Sequence, residues 1–215
     1  HDAAIAAHIV GLIWIKESRR QQDAEKAFRE SLDLGKDDSH HQAQVWHSLG
    51  NLLSKNRQRD KEAEDAYRKS LVLAQDNSYH QAQVWHSLGN LFSKNRQRDK
   101  EAEDAYRKSL VLEERNGNVF GQAQVWHSLG NLLSKNRMRW PEAEEAYKRS
   151  LDAVKNNIRH RVMVARSYGL LAIEQGDYDK AEKYLRIALE NERNDFYRDT
   201  IAAKLEEVAR KKAGR

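Results

Sequence analysis

Small and apolar residues recur every three to four positions along the chain, in stretches that come in pairs. Val45, Leu49, Leu52 and Leu53 make one stripe, and Ala63, Ala66, Tyr67, Ser70 and Leu71 make the next. That spacing belongs to one face of an α-helix. The residues between them, Lys55 to Asp60, are polar, so the two stripes predict a helical hairpin closed by a short turn. Asp60 and Asp99 stand where N-caps are expected, and in a later copy Pro141 takes that place as a first helical residue, where its missing N–H costs nothing.

The hairpin is repeated. His41 to Leu73 and His80 to Leu112 are the same sequence except that Leu53 is matched by Phe92, and a third copy runs from Gly121 to about Ala153. Weaker copies flank these three: Gly11, Ala24, Phe28 and Leu32 align with Gly50, Ala63, Tyr67 and Leu71, as do Gly169, Ala181, Leu185 and Leu189. The expected organisation is an all-α chain of five hairpins, at roughly 1–38, 39–77, 78–117, 118–156 and 157–194. A capping helix and tail follow at 195–215. On that last helix Phe196, Ile201, Leu205 and Val208 form an apolar stripe opposite Lys204, Glu206, Glu207 and Arg210. The first helix has no polar face, because Ile5, Ile9, Leu12 and Ile13 spread around it, which predicts a covered surface or a homodimer contact.

The run Trp46-His47-Ser48-Leu49-Gly50-Asn51, followed by Ala63, Tyr67 and Ser70, resembles the tetratricopeptide repeat signature. The period is longer than that family's usual one, as in the repeats of kinesin light chains, while the unit from Gly169 through Gly176, Asp177, Tyr178, Ala181 and Ala188 is nearest to the standard spacing. The resemblance implies a right-handed α-solenoid acting as an interaction scaffold, with the first helix of each hairpin lining a concave groove. On those helices Gln44, Gln83 and Gln124, then His47, His86, His127 and Arg166, then Asn51, Asn90 and Asn131 occupy aligned positions. Their amides and imidazoles suit the backbone of an extended peptide partner. The lysine-rich clamp of the chaperone-binding members is incomplete, since His47 stands where it needs lysine.

Charge changes this picture at one place. The chain is 33% charged with a formal net charge of +5, and basic residues concentrate in the turns: Arg57 and Arg59, Arg96 and Arg98, Arg137 and Arg139. Stacked, they predict a basic ridge that would attract RNA, DNA or an acidic protein. Only Trp140 interleaves with them for base stacking, so nucleic acid ranks behind a protein partner. Self-association, or a sensor role within a larger signalling protein, is the third reading. Cysteine is absent, which removes disulfides, thiolate metal sites and cysteine nucleophiles and fits a reducing, cytoplasmic setting. The aligned histidines do not predict a metal site, because stacked helices lie about 8–10 Å apart whereas zinc–nitrogen bonds are about 2 Å. His47 and Ser48 point about 100° apart on their helix with no recurring aspartate beside them. No enzyme, cofactor or membrane association is expected.

Overall fold

The computed structural model describes residues 1–154 and 157–214; the boundary drawn at 156 and the last tail residue, Arg215, lie outside them. Eleven α-helices are present among the described residues: α1 (Asp2–Trp14), α2 (Gln21–Leu34), α3 (Ser39–Leu53), α4 (Asp60–Leu73), α5 (Ser78–Phe92), α6 (Asp99–Arg115), α7 (Val119–Leu133), α8 (Trp140–Ala153), α9 (Ile158–Gln175), α10 (Tyr178–Asn191) and α11 (Asp195–Ala213). The chain divides into two compact units, His1–Asn116 with three hairpins and Gly117–Arg215 with two hairpins and α11. Within each unit, each hairpin packs tightly on itself and more lightly on its neighbour. Each unit is thus a stretch of α-solenoid, in which every repeat needs its neighbours to bury its apolar face. No described helix is long and apolar enough to cross a membrane.

The hairpins close because each stripe finds its complement. Val45 and Leu49 of α3 and Ala63, Ala66 and Tyr67 of α4 are buried. Gly50 brings the two backbones together: a Cβ there would lie 2.6 Å from the Tyr67 ring. The turn differs from the sequence expectation. Asp60 and Asp99 are not N-caps but the first residues of α4 and α6, following short 3₁₀ turns at Arg57–Arg59 and Arg96–Arg98. The cap has moved upstream, where Asn56 Oδ1 accepts from Gln58 N at 3.0 Å and Asn95 Oδ1 from Gln97 N at 3.0 Å. Asn supplies an acceptor two residues before an otherwise orphaned N–H, and the tight turn leaves no room for a second cap. Pro141 lies in the first turn of α8, after Trp140.

The last hairpin turns more sharply. Gly176 adopts φ 75°, the left-handed conformation that closes α9, and Asp177 at once caps α10 by accepting from Lys180 N at 3.0 Å. That two-residue link accounts for the shorter spacing of this unit. Beyond it, Ile201 and Val208 of α11 are buried in one core with Val162, Leu185 and Ala188. Phe196 departs from the expected stripe and is 74% exposed, because five residues before Ile201 places it about 140° around the helix. On α1, Ala4, His8 and Gly11 are buried, while Ile5, Ile9, Leu12 and Ile13 remain exposed.

Replacing Gly50 with alanine should lower stability by about 1–2 kcal/mol in denaturant unfolding, the overpacking against Tyr67 outweighing the roughly 1 kcal/mol that alanine gains in helix propensity. Unchanged or raised stability would mean that the ring gives way freely.

Candidate functional site

The aligned polar residues of the first helices turn out to have two occupations. One is the joint between successive repeats. In the first unit, Nε2 of His8 lies 2.9 Å from Ser48 Oγ, and Nε2 of His47 lies 2.9 Å from Ser87 Oγ. In the second unit, His127 and Ser167 repeat the contact at 3.0 Å. Ser48 also donates to the carbonyl of Gln44 at 3.0 Å, so His8 must present Nε2–H to its oxygen. The neighbouring His47 and Ser48 therefore serve different repeats. This explains why the pair recurs without an orienting carboxylate.

A second set of histidines, His41, His80 and His160, stands at the start of the first helices and is buried. Ser70, fully buried at 0% exposure, donates to the Ala43 carbonyl at 2.7 Å across its hairpin. Its lone pair meets Nε2 of His80, from the next repeat, at 2.9 Å, and His80 also reaches the Ala43 carbonyl at 3.2 Å. A carbonyl only accepts, so Nε2 of His80 carries the proton. Ser31 with Ala4 and His41 repeats the arrangement, as does Ser150 with Ala123 and His160. The two histidine sets meet edge-on: His8 with His41 at 5.6 Å, His47 with His80 at 5.3 Å and His127 with His160 at 5.6 Å between ring centroids.

This seam must stay neutral. Burial, reinforced by the facing imidazoles, lowers His8 to about 4 and His47 to about 3; burial lowers His86 to about 4, and lowers His80 and His160 as well. No group of three or more metal-ligating side chains exists among the described residues.

The other occupation is orientation of the asparagines. Tyr67 donates to Asn51 Oδ1, Tyr106 to Asn90 Oδ1 and Tyr147 to Asn131 Oδ1, each at 2.8 Å. With the amide oxygen held, Nδ2 is left as a donor; in the second unit it lies 3.3 Å from Nε2 of His127. Asn51 is half-buried, whereas Asn90 and Asn131 are exposed, as are Gln44 and Gln124; Gln83 is half-buried. Arg166 stands apart, its guanidinium 5.1 Å from the centre of the Tyr197 ring.

Half of the expected basic ridge is engaged by carboxylates within the fold. Arg59 binds both Glu25 of the preceding repeat and Glu62 of its own, at 2.5 and 2.7 Å, and Arg98 binds Glu64 and Glu101 at 2.7 and 2.6 Å. Arg139 pairs with Glu142 at 2.6 Å. Lys55 donates to the Ile15 carbonyl that ends α1, at 2.7 Å, and Lys94 donates to the Ser54 carbonyl that ends α3, satisfying acceptors that helix ends leave open. Arg57 and Arg96 remain exposed, and Arg137 lies over Trp140 at 5.7 Å. Trp140 itself folds back and donates to the Ser134 carbonyl at 3.0 Å. These engagements were missed at the sequence level, although the recurring separations (40 residues from histidine to serine, 34 from glutamate to arginine) were there to be read.

Paired antiparallel helices, small residues at their crossings and a duplicated polar seam together define a helical-repeat scaffold. Models of the tetratricopeptide repeat match residues 45–78, 84–119 and 121–194. The chain belongs to the tetratricopeptide repeat family, whose arrays are in general non-enzymatic scaffolds for protein interaction. No curated protein matches it significantly. Among solved structures, BtubC (BKLC) from P. vanneervenii superposes with a TM-score of 0.78 at 19% identity, over 91% of this chain and 84% of that one. MamA gives 0.59 at 21% identity, over 82% and 91% of the two chains. YrrB, described as a TPR protein with an unusual peptide-binding site, gives 0.58 at 17% identity, over 95% and 92%. At these identities the likeness is one of fold.

Two predictions follow from the seam. Unfolded imidazoles take up protons near 6.5, well before the buried ones. Stability should therefore be full above about pH 6.5 and fall as pH drops towards 4, since the unfolded state binds more protons throughout that window. The paired Glu25, lowered to about 2 chiefly by Arg59, has the same sign but acts only below its ordinary value of 4.5. A melting-temperature series from pH 7.5 to about 4.5 isolates the histidines, and His47→Gln should flatten its slope. Separately, Ser70→Ala should cost about 1–3 kcal/mol, because it strips a partner from both the Ala43 carbonyl and His80.

Proposed function

We propose that each unit captures an extended peptide segment of a protein partner along the exposed polar face of its own first helices. The observation that supports this most is the tyrosine–asparagine hydrogen bond, repeated at 2.8 Å in three hairpins. It holds each amide oxygen inward and leaves Nδ2 as a donor already oriented for a peptide carbonyl, so little ordering entropy remains to be lost on binding. Gln44, Gln83 and Gln124, one helical turn away, add donors and acceptors for the same backbone. His47 and His127 enter this reading as supports, because their Nε2 atoms are spent on the seam. Arg57, Arg96 and Arg137 keep a second reading alive, in which an acidic polymer binds along the turns. With Arg59, Arg98 and Arg139 held by glutamates, each turn offers that polymer less charge than composition suggests.

The experiment is a capture assay comparing the native array with an Asn51→Ala, Asn90→Ala, Asn131→Ala variant, with helicity followed by circular dichroism. Loss of a specifically retained protein at unchanged helicity is expected. Equal capture by both forms would defeat the peptide reading, and retention that vanishes at modest salt and on substituting Arg57, Arg96 and Arg137 with Glu would favour the turns.

A further inference from the structure

The last first-helix breaks the pattern of the others, and a cleft opens where it does so. Internal repeats place histidine at the position of Arg166 and glutamine at that of Met163. Here α9 is followed by α10 and the α10–α11 link, and between them lies a cleft of about 620 Å³. Its floor is apolar: Val162 is buried, while Ile158, Met163 and Tyr197 are 50%, 45% and 44% exposed. Around the floor stand three guanidiniums, those of Arg159, Arg166 and Arg193.

The charged side chains of this cleft are three cations and one carboxylate. Asn194 caps α11 by accepting from Tyr197 N at 3.3 Å, and Asn191 donates to the Ile187 carbonyl at 3.0 Å. Glu192, the cleft's one carboxylate, accepts through Oε1 from the backbone N–H of Arg193 and of Asn194, both at 2.9 Å. Among the described residues none of the three arginine side chains has an acidic partner, and Arg166 lies over the ring of Tyr197. Elsewhere in this unit Arg139, Arg149 and Arg186 are each held by a glutamate. Three arginines against one carboxylate leave a net positive charge over an apolar floor.

We infer that this cleft is a binding site for a short acidic peptide segment in which carboxylates flank a bulky apolar or aromatic side chain. Arg159 and Arg166, with Arg193 across the cleft, receive the carboxylates in forked hydrogen bonds, and the apolar side chain covers Ile158, Met163 and the free part of Tyr197. A nucleic-acid backbone is matched less well, since its phosphates carry nothing to cover that floor. The site is separate from the asparagine set and shares no side chain with it.

The test is fluorescence anisotropy on the whole chain, with a labelled synthetic peptide carrying Asp-Phe-Glu between glycine–serine flanks. Its controls are an Asn-Phe-Gln version, an Asp-Ala-Glu version and a uridine oligonucleotide. The acidic aromatic peptide should bind, both altered peptides should bind more weakly, and Arg159→Ala with Arg166→Ala should weaken binding by about tenfold or more. Arg159→Lys with Arg166→Lys, which keeps the charge but loses the fork, should recover part of it. Melting temperature should change little in these variants, since Arg159 is exposed and Arg166 half-buried. The triple asparagine variant should bind the probe as the native chain does, so failure of the peptide-groove reading would leave this one standing. Equal binding of the acidic and neutral peptides, indifference to the arginine changes, loss of binding in the asparagine variant, or tighter arginine-dependent binding of the oligonucleotide would each overturn it.

Discussion

Within each of the two units, one repeat is tied to the next by a buried serine hydroxyl that spends its one proton on a carbonyl across its own hairpin and offers its oxygen to a histidine of the following repeat. Ser31 and Ser70 do this in the first unit and Ser150 in the second. An apolar contact would tolerate sliding, whereas this three-way bond admits one register only, and an unmet partner inside the seam is penalised heavily. The close glycine–tyrosine crossing and the facing imidazoles fit around that fixed point. Ala188 takes the serine's place in the last hairpin, where α11 follows instead of another repeat and no histidine arrives to be bonded.

That joint decides what is left for partners. Histidines that looked like surface ligands are joinery, as are the turn lysines and half of the turn arginines. What remains is a sparse set: oriented amide donors on the first helices, one arginine per turn, and the arginine-lined cleft beside α11. Departures from the duplicated copies include Ile9 in place of the internal serine, Gly121 in place of His41 and His80, and Arg166 in place of the internal histidine. Binding selectivity has more material to work with at such departures than in the duplicated middle.

The hairpins were legible in the sequence because period and residue size speak directly: Gly50 opposite Tyr67 and Ala63 between the helices can be inferred from a helical wheel. The details of the turn were not, since whether Asp60 caps or begins a helix depends on a 3₁₀ turn set by Asn56, and one-residue shifts of this kind lie below the resolution of pattern. The candidate site was legible only in part. His47 and Asn51 were picked out by their alignment, but alignment cannot distinguish a residue repeated for a ligand from one repeated for a joint. That distinction needs the partner, and Ser87 lies 40 residues from His47. Phe196 shows the converse, an apolar residue whose position about 140° from Ile201 removes it from the core.

The two nearly identical stretches carry a consequence for how such a chain changes over generations. His41 to Leu73 and His80 to Leu112 contain the same incoming histidine and the same outgoing serine. A link excised or copied by misaligned recombination therefore leaves neighbours whose keys still match. Length becomes a property that a gene can alter in a single event, without inventing a new surface, while the two unlike ends travel unchanged with whatever number of links lies between them.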